Sequence, residues 1–248
     1  QNGNRALSVG WETGLYAFAV VLLAASLQGI TGAGMMILSV PALIVTLPAT
    51  VVVPGIVILY LPLGVAQIVQ LRDDVDRPHL AILVVSSALM VPLGALILGN
   101  VDTVTLQRGI GLSMIALALL LQVKPGPPYT KDFAPCVGAG LIAGFLAAST
   151  SVSGPPLVLL GLKQRWDPAR FRATLIAYFL IISAFSLPFY WKMDLLSPAT
   201  WQFVLYGLPG ITLGYFTGGW LRARVSVAAF RWLATGVVVV GGLAAALL

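Results

Sequence analysis

Charge is what this chain has least of. Only 9% of its 248 residues are Asp, Glu, Lys or Arg, while 59% are hydrophobic and the mean hydropathy is +0.98; an ordinary soluble domain is about 25% charged. A soluble core of this size needs a charged shell, and 14 basic with 8 acidic residues, gathered into short runs, cannot supply one. Soluble enzymes and nucleic-acid-binding modules are thereby excluded. One cysteine, Cys136, excludes an internal disulfide and a thiolate metal cage, and one histidine, His79, leaves no histidine cluster, so neither metal nor cofactor is expected. All eight carboxylates lie outside the middles of the apolar runs, which leaves no acidic proton relay within them. The polar stretch 1–10 leads into an apolar run longer than a signal-peptide core and is not read as a cleavable signal.

What is present is a series of apolar runs long enough to cross a bilayer. The stretches 51–71, 80–98, 105–123, 173–191, 200–220 and 227–248 each approach the roughly 20 residues that span about 30 Å of hydrocarbon as helix. Two further segments, 11–47 and 133–162, are too long for one straight helix; the first would measure about 55 Å. Each must break or fold back. The break points are Gly29-Ile-Thr-Gly-Ala-Gly34 and Ser149-Thr-Ser-Val-Ser-Gly-Pro-Pro156, because glycine, proline and clustered hydroxyls end helices. Trp11, Trp166, Trp191, Trp201 and Trp220 fall near span ends and are read as interfacial anchors.

An offset of 120 pairs Gly34 with Gly154, Pro48 with Pro168, Pro78 with Pro198, and Leu93-Gly94 with Leu213-Gly214. The chain reads as an internal duplication with repeats at 11–123 and 133–248. The expected fold class is an all-α polytopic membrane protein of two inverted repeats, each with a broken or re-entrant segment and three ordinary transmembrane helices. If both broken segments return to the side they entered from, eleven of the fourteen Lys and Arg lie inside and only Arg5, Arg108 and Lys192 outside, as the positive-inside rule favours.

Helix ends within a membrane expose unpaired N–H groups and a positive dipole end, which is unfavourable in lipid and useful beside an anion. The half-helices beginning near Gly34 and Gly154 are expected to converge at mid-depth. Candidate substrate contacts are Gln28, Thr31, Gly32 and Gly34 at the first break, Ser149, Thr150, Ser151, Ser153 and Gly154 at the second, and Arg172 as the nearest useful cation. The same hydroxyls can instead cap helix ends, and Arg172 can snorkel to the interface.

These breaks, the run Met35 to Pro41, the stretch Gly140-Leu-Ile-Ala-Gly144 leading to Ser153-Gly-Pro-Pro156, and Asp167-Pro-Ala-Arg-Phe-Arg-Ala-Thr174 resemble the sulfite exporter TauE/SafE family, also called the 4-toluene sulfonate uptake permease family. The resemblance runs from about Leu15 to the C-terminus. It implies export of a sulfur-containing oxyanion, sulfite or an organosulfonate, across a bacterial cell inner membrane by a multi-pass protein whose partners are that small anion and the lipid bilayer. The family often carries a denser glycine run at both breaks, where this chain has Thr31 and Ala33, and Ser151, Val152 and Ser153. A passive anion channel is the alternative, since paired half-helices also build pores. An intramembrane serine protease using Ser153 and His79 is a more distant one. Oligomeric state is left open by the sequence.

Overall fold

The computed structural model describes residues 10–31, 34–120 and 132–221. Among these residues the regular structure is all helical: α1 (Trp11–Thr31), α2 (Gly34–Leu43), α3 (Ala49–Leu71), α4 (Arg77–Asn100), α5 (Thr103–Leu120), α6 (Phe133–Thr150), α7 (Gly154–Gln164), α8 (Pro168–Lys192) and α9 (Pro198–Leu221), with a 3-10 turn at Arg72–Asp74. Five of them, α1, α3, α4, α6 and α8, are long and apolar enough to cross a membrane. This is a multi-pass integral membrane protein of the all-α class. The span expected at 227–248 lies outside the described residues, as does the end of the one expected at 105–123.

Helix starts follow local chemistry. The Asp76 carboxylate accepts the His79 N–H at 3.2 Å, Asp102 accepts that of Thr105 at 2.8 Å, and Asp167 accepts those of Ala169 and Arg170 at 3.1 and 3.0 Å. Prolines stand at the first or second position of α4, α7 and α8, where no N–H is needed. Three of the scarce carboxylates are thus helix caps at span ends. The Asp102 carboxyl is held below its usual range chiefly by the Thr105 N–H.

Both long segments break where the glycine, proline and hydroxyl clusters predict, yet neither becomes a symmetric re-entrant hairpin. With 21 residues, α1 reaches span length, and α6 does so with 18, whereas α2 and α7 have 10 and 11 and are about 15 and 16 Å long. Each segment is a full-length helix followed by a half-helix. The reason is the late position of the breaking residues: nothing in the interior of α1 or α6 removes a backbone donor, and Pro135 falls in the first turn of α6, where it is harmless.

Helix pairing is reciprocal between the two halves. α1 packs along α9 and α4 along α6; α3 and α8 meet centrally, with α4 also on α8 and α3 also on α9. Small residues allow the backbones to touch, as in membrane helix pairs generally. A methyl on Gly94 would stand 2.5 Å from the Phe145 carbonyl oxygen, 3.0 Å from Ala148 Cβ and 3.1 Å from Ser149 N. One on Gly214 would meet Leu22 O, Ala25 Cβ and Ser26 N at 2.9, 2.5 and 3.1 Å. The glycines are 120 residues apart, but their partners are 123 apart. The offset of 120 read from the sequence does not extend to α1 and α6, because Gly34 lies eight residues after Ser26 whereas Gly154 lies five after Ser149.

Large side chains divide by environment. Tyr60, Tyr178 and Tyr190 are fully buried with their hydroxyls engaged, Tyr178 with Ser87 at 2.7 Å and Tyr190 with the Ala148 carbonyl at 3.0 Å. Leu23, Val69, Val85, Leu89, Leu205 and Phe216 are exposed on outer helix faces, as lipid contact requires. Trp11, Trp191, Trp201 and Trp220 are exposed at helix ends, whereas Trp166 packs on His79 and Phe171, with ring centroids 4.6 and 5.9 Å away.

Candidate functional site

The second break is built around a reversal in three residues. Ser151 ends α6 in the left-handed conformation, φ 57°, with its N–H on the Ala147 carbonyl and its Oγ on the Val53 carbonyl at 3.3 Å. Such a backbone is unusual for a side chain other than glycine and is held here by the cross-helix hydrogen bond. Ser149 and Thr150 donate back to the Phe145 and Leu146 carbonyls, and Thr150 Oγ1 also accepts the Val152 N–H. Ser153 precedes α7, and Pro155 and Pro156 follow Gly154. The prolines leave only Ser153 and Gly154 as N–H donors in the opening turn, so this helix end keeps its positive dipole while exposing few donors that lipid or a dry core would leave unsatisfied.

A small cleft with room for about one water molecule opens at this point, lined by Met36, Val57, Ala147, Ser151, Ser153, Phe179, Ile182, Ser183 and Ser186. Five of the nine lining residues are apolar and four are serines. The Ser186 hydroxyl donates to the Ile182 carbonyl at 2.8 Å. The Ser153 and Ser183 hydroxyls have no hydrogen-bond partner among the described residues, although the two residues are 1% and 4% exposed. Both residues line the cleft, where water or a ligand can pair with their hydroxyls. The two half-helices do approach each other here: a methyl on Gly154 would meet the end of the Ile37 side chain at 3.3 Å and the Phe179 ring at 3.7 Å.

The first break is closed by side chains. Gln28 Oε1 accepts the Met35 N–H at 3.0 Å, capping the start of α2, and its amide donates to Gln67 at 3.4 Å and to Tyr60 at 3.5 Å. Arg172 donates from Nη2 to the Gly29 carbonyl at 2.9 Å, satisfying an end of α1. At the other end of α2 the Ala42 carbonyl accepts from Tyr16 at 2.9 Å and the Ile44 carbonyl from Gln107. Gly34 lies close against Leu27 and Gln28, where a methyl would stand 3.1, 3.2 and 3.3 Å from its nearest neighbours.

Of the residues singled out in the sequence, Ser151 and Ser153 line the cleft, and Gly154 follows Ser153 as the first residue of α7. Ser149 and Thr150 are engaged with the preceding turn; Gln28, Gly34 and Arg172 belong to the closed break. The Thr31 side chain and Gly32 lie outside the described residues. Sequence reasoning missed Ser183 and Ser186, because hydroxyls in apolar helices usually bond their own backbone, as Ser186 does. Their spacing of three, placing both on one face of α8, was the available signal. Gln67, an amide inside an apolar run, was the signal for the network at the first break.

His79 sits at the start of α4, with Nδ1 2.9 Å from Asp76 and Nε2 3.6 Å from Asp132. Asp132 immediately precedes α6, whereas Ser153 follows its far end, about 27 Å along the helix. A Ser153–His79 pair is therefore not formed. The described residues hold no group of His, Cys, Asp or Glu that could bind a metal ion.

Residues 17–245 match the family model for the sulfite exporter TauE/SafE, which covers nearly the whole chain. No curated protein and no solved structure matches the chain.

Proposed function

The chain belongs to the sulfite exporter TauE/SafE family, a family of membrane transporters rather than enzymes, and from that premise we propose that it exports a sulfur-containing oxyanion, sulfite or an organosulfonate, by binding it in the cleft at the second break. The observation that carries this reading is the cleft at the start of α7, lined by Ser153 and by Ser183 of α8, whose hydroxyls have no hydrogen-bond partner among the described residues. An oxyanion there receives hydrogen bonds from both hydroxyls and from the Ser153 and Gly154 N–H groups, and the α7 dipole favours its charge. The apolar lining residues Met36, Val57, Phe179 and Ile182 suit the organic part of a sulfonate. The repeats 11–123 and 133–248 would be inverted and rock against each other about this site. The protein would lie in the inner membrane with the 72–77, 124–131 and 163–172 basic residues inside. Outward movement of an anion is then favoured by the membrane potential, about 2.3 kcal/mol per charge per 100 mV.

The test is efflux from proteoliposomes loaded with radiolabelled sulfite or an alkanesulfonate. Saturable efflux is expected, and a Ser153→Ala, Ser183→Ala double variant should lose about 1–3 kcal/mol of binding, roughly 5- to 150-fold in affinity. Unchanged affinity in a folded double variant places the anion elsewhere, and non-saturating conductance favours a pore.

A further inference from the structure

The cleft is polar without being charged. Among the described residues that line it, none is Lys, Arg, His, Asp or Glu. On α8, the helix that supplies Ser183 and Ser186, the flanking cations are Lys192, exposed and six residues beyond Ser186, and Arg172, eleven residues before Ser183 and bonded to the Gly29 carbonyl. Along the helix these separations are about 9 and 16 Å. On α7 the first cation is Lys163, nine residues or about 13 Å past Gly154. Charged groups of the other lining helices lie at or beyond their ends: α2 carries none, α3 is followed by Arg72, and α6 is preceded by Asp132. Nothing that lines the cleft titrates near neutral pH.

This donor set treats single and double charges unequally. The cost of removing an ion from water rises with the square of its charge, while its attraction to fixed neutral dipoles, hydroxyls and a helix end, rises only in proportion to it. A second negative charge therefore quadruples the penalty and doubles the compensation, and only a nearby cation could restore the balance.

Resting on the reading of this cleft as the oxyanion site, we propose that the protein selects its substrate by charge state, binding monovalent sulfur oxyanions (hydrogen sulfite and alkanesulfonates) and rejecting divalent ones (the sulfite dianion and sulfate). Sulfite is a built-in probe, because its second proton is lost near neutral pH, whereas methanesulfonate stays monovalent throughout. Methanesulfonate also reports any titration of the protein itself.

Binding of methanesulfonate, sulfite and sulfate to the purified full-length protein, measured by equilibrium titration at pH 6 and pH 8.5, decides the question. Methanesulfonate affinity should agree within about twofold between the two pH values, sulfite affinity should fall at least tenfold at pH 8.5, and sulfate should not compete at either. Ser183→Ala should weaken methanesulfonate several-fold at both pH values alike. Sulfite that binds as tightly at pH 8.5 as at pH 6, or sulfate that competes, overturns the charge selection while leaving the oxyanion site in place. Failure of every sulfur oxyanion to bind at both pH values overturns the site and the selection together.

Discussion

Two breaks interrupt the helices of this molecule, and they are finished differently. At the first, polar side chains from neighbouring helices close the gap: Gln28 caps α2 and reaches Gln67 and Tyr60, while Arg172 takes the Gly29 carbonyl. At the second, Ser149, Thr150 and Ser151 are likewise occupied, but Ser153 and Ser183 face a cleft with nothing to bond. A backbone interruption in a membrane must be satisfied somehow, and the difference lies in whether the protein or a ligand does it. The charged residue most suggestive of anion binding sits at the closed break, and the neutral hydroxyls sit at the open one.

That contrast breaks most readily at Gln28. Gln28→Leu keeps the volume but strands the Met35 N–H and the Gln67 amide, so it should cost about 2–5 kcal/mol of stability. It should leave oxyanion affinity unchanged in the folded fraction. Thermal unfolding in detergent, paired with a binding titration, checks both halves of the expectation.

Valine at the two half-helix starts sharpens the comparison. At Gly34 the new side chain meets the Leu27 carbonyl carbon and the Gln28 nitrogen at 3.1 and 3.2 Å, backbone that cannot withdraw. Gly34→Val should therefore cost about 1–3 kcal/mol of stability. At Gly154 the neighbours are the tips of Ile37 and Phe179, which can shift into the cleft. Gly154→Val should fold near wild-type stability and lose efflux, because the cleft is filled.

A smaller effect belongs to Ser153→Ala, which removes one neutral donor and should weaken binding by about 0.5–1.5 kcal/mol, with unfolding temperature unmoved. The smallest lies outside both breaks. The Asp102 carboxyl, lowered in the folded state by the Thr105 N–H, stabilises α5 only while ionised. Its contribution is complete above the unfolded carboxyl range near pH 4 and is lost as pH falls through the lower folded value. The small stability difference between wild type and Asp102→Ala, measured by chemical denaturation, should shrink as pH is lowered from 6 towards 3.

Much of the architecture was legible because membrane helices announce themselves by length and apolarity, and because Gly-Pro and hydroxyl clusters cannot continue a helix. The break at 151–153 and the starts of α2, α7 and α8 were readable for that reason. The three extra residues between Ser26 and Gly34, set against Ser149 and Gly154, were not, since the matched glycines and prolines lie downstream and carry no information about α1 against α6. The site was half legible. Ser153 and Gly154 stand out in sequence, but whether a hydroxyl is spent on its own helix, as in Ser149, or left facing a cavity, as in Ser183, depends on which helix packs opposite it. The Arg172 bond to the Gly29 carbonyl was not legible, because a cation near an anion path and a cation capping a broken helix look alike until a partner is known.

The central claim, that the second break holds the anion and the first holds the fold, is tested most directly by the stabilisation that saturating methanesulfonate confers on three proteins: wild type, Gln67→Leu and Ser153→Ala. Ligand binding raises the stability of the folded state by an amount set by its affinity. Gln67→Leu should start less stable than wild type and gain the same increment from the ligand, whereas Ser153→Ala should start at wild-type stability and gain about 0.5–1.5 kcal/mol less. The reverse pattern, an undiminished increment in Ser153→Ala and a lost one in Gln67→Leu, would contradict the account and move the anion to the first break.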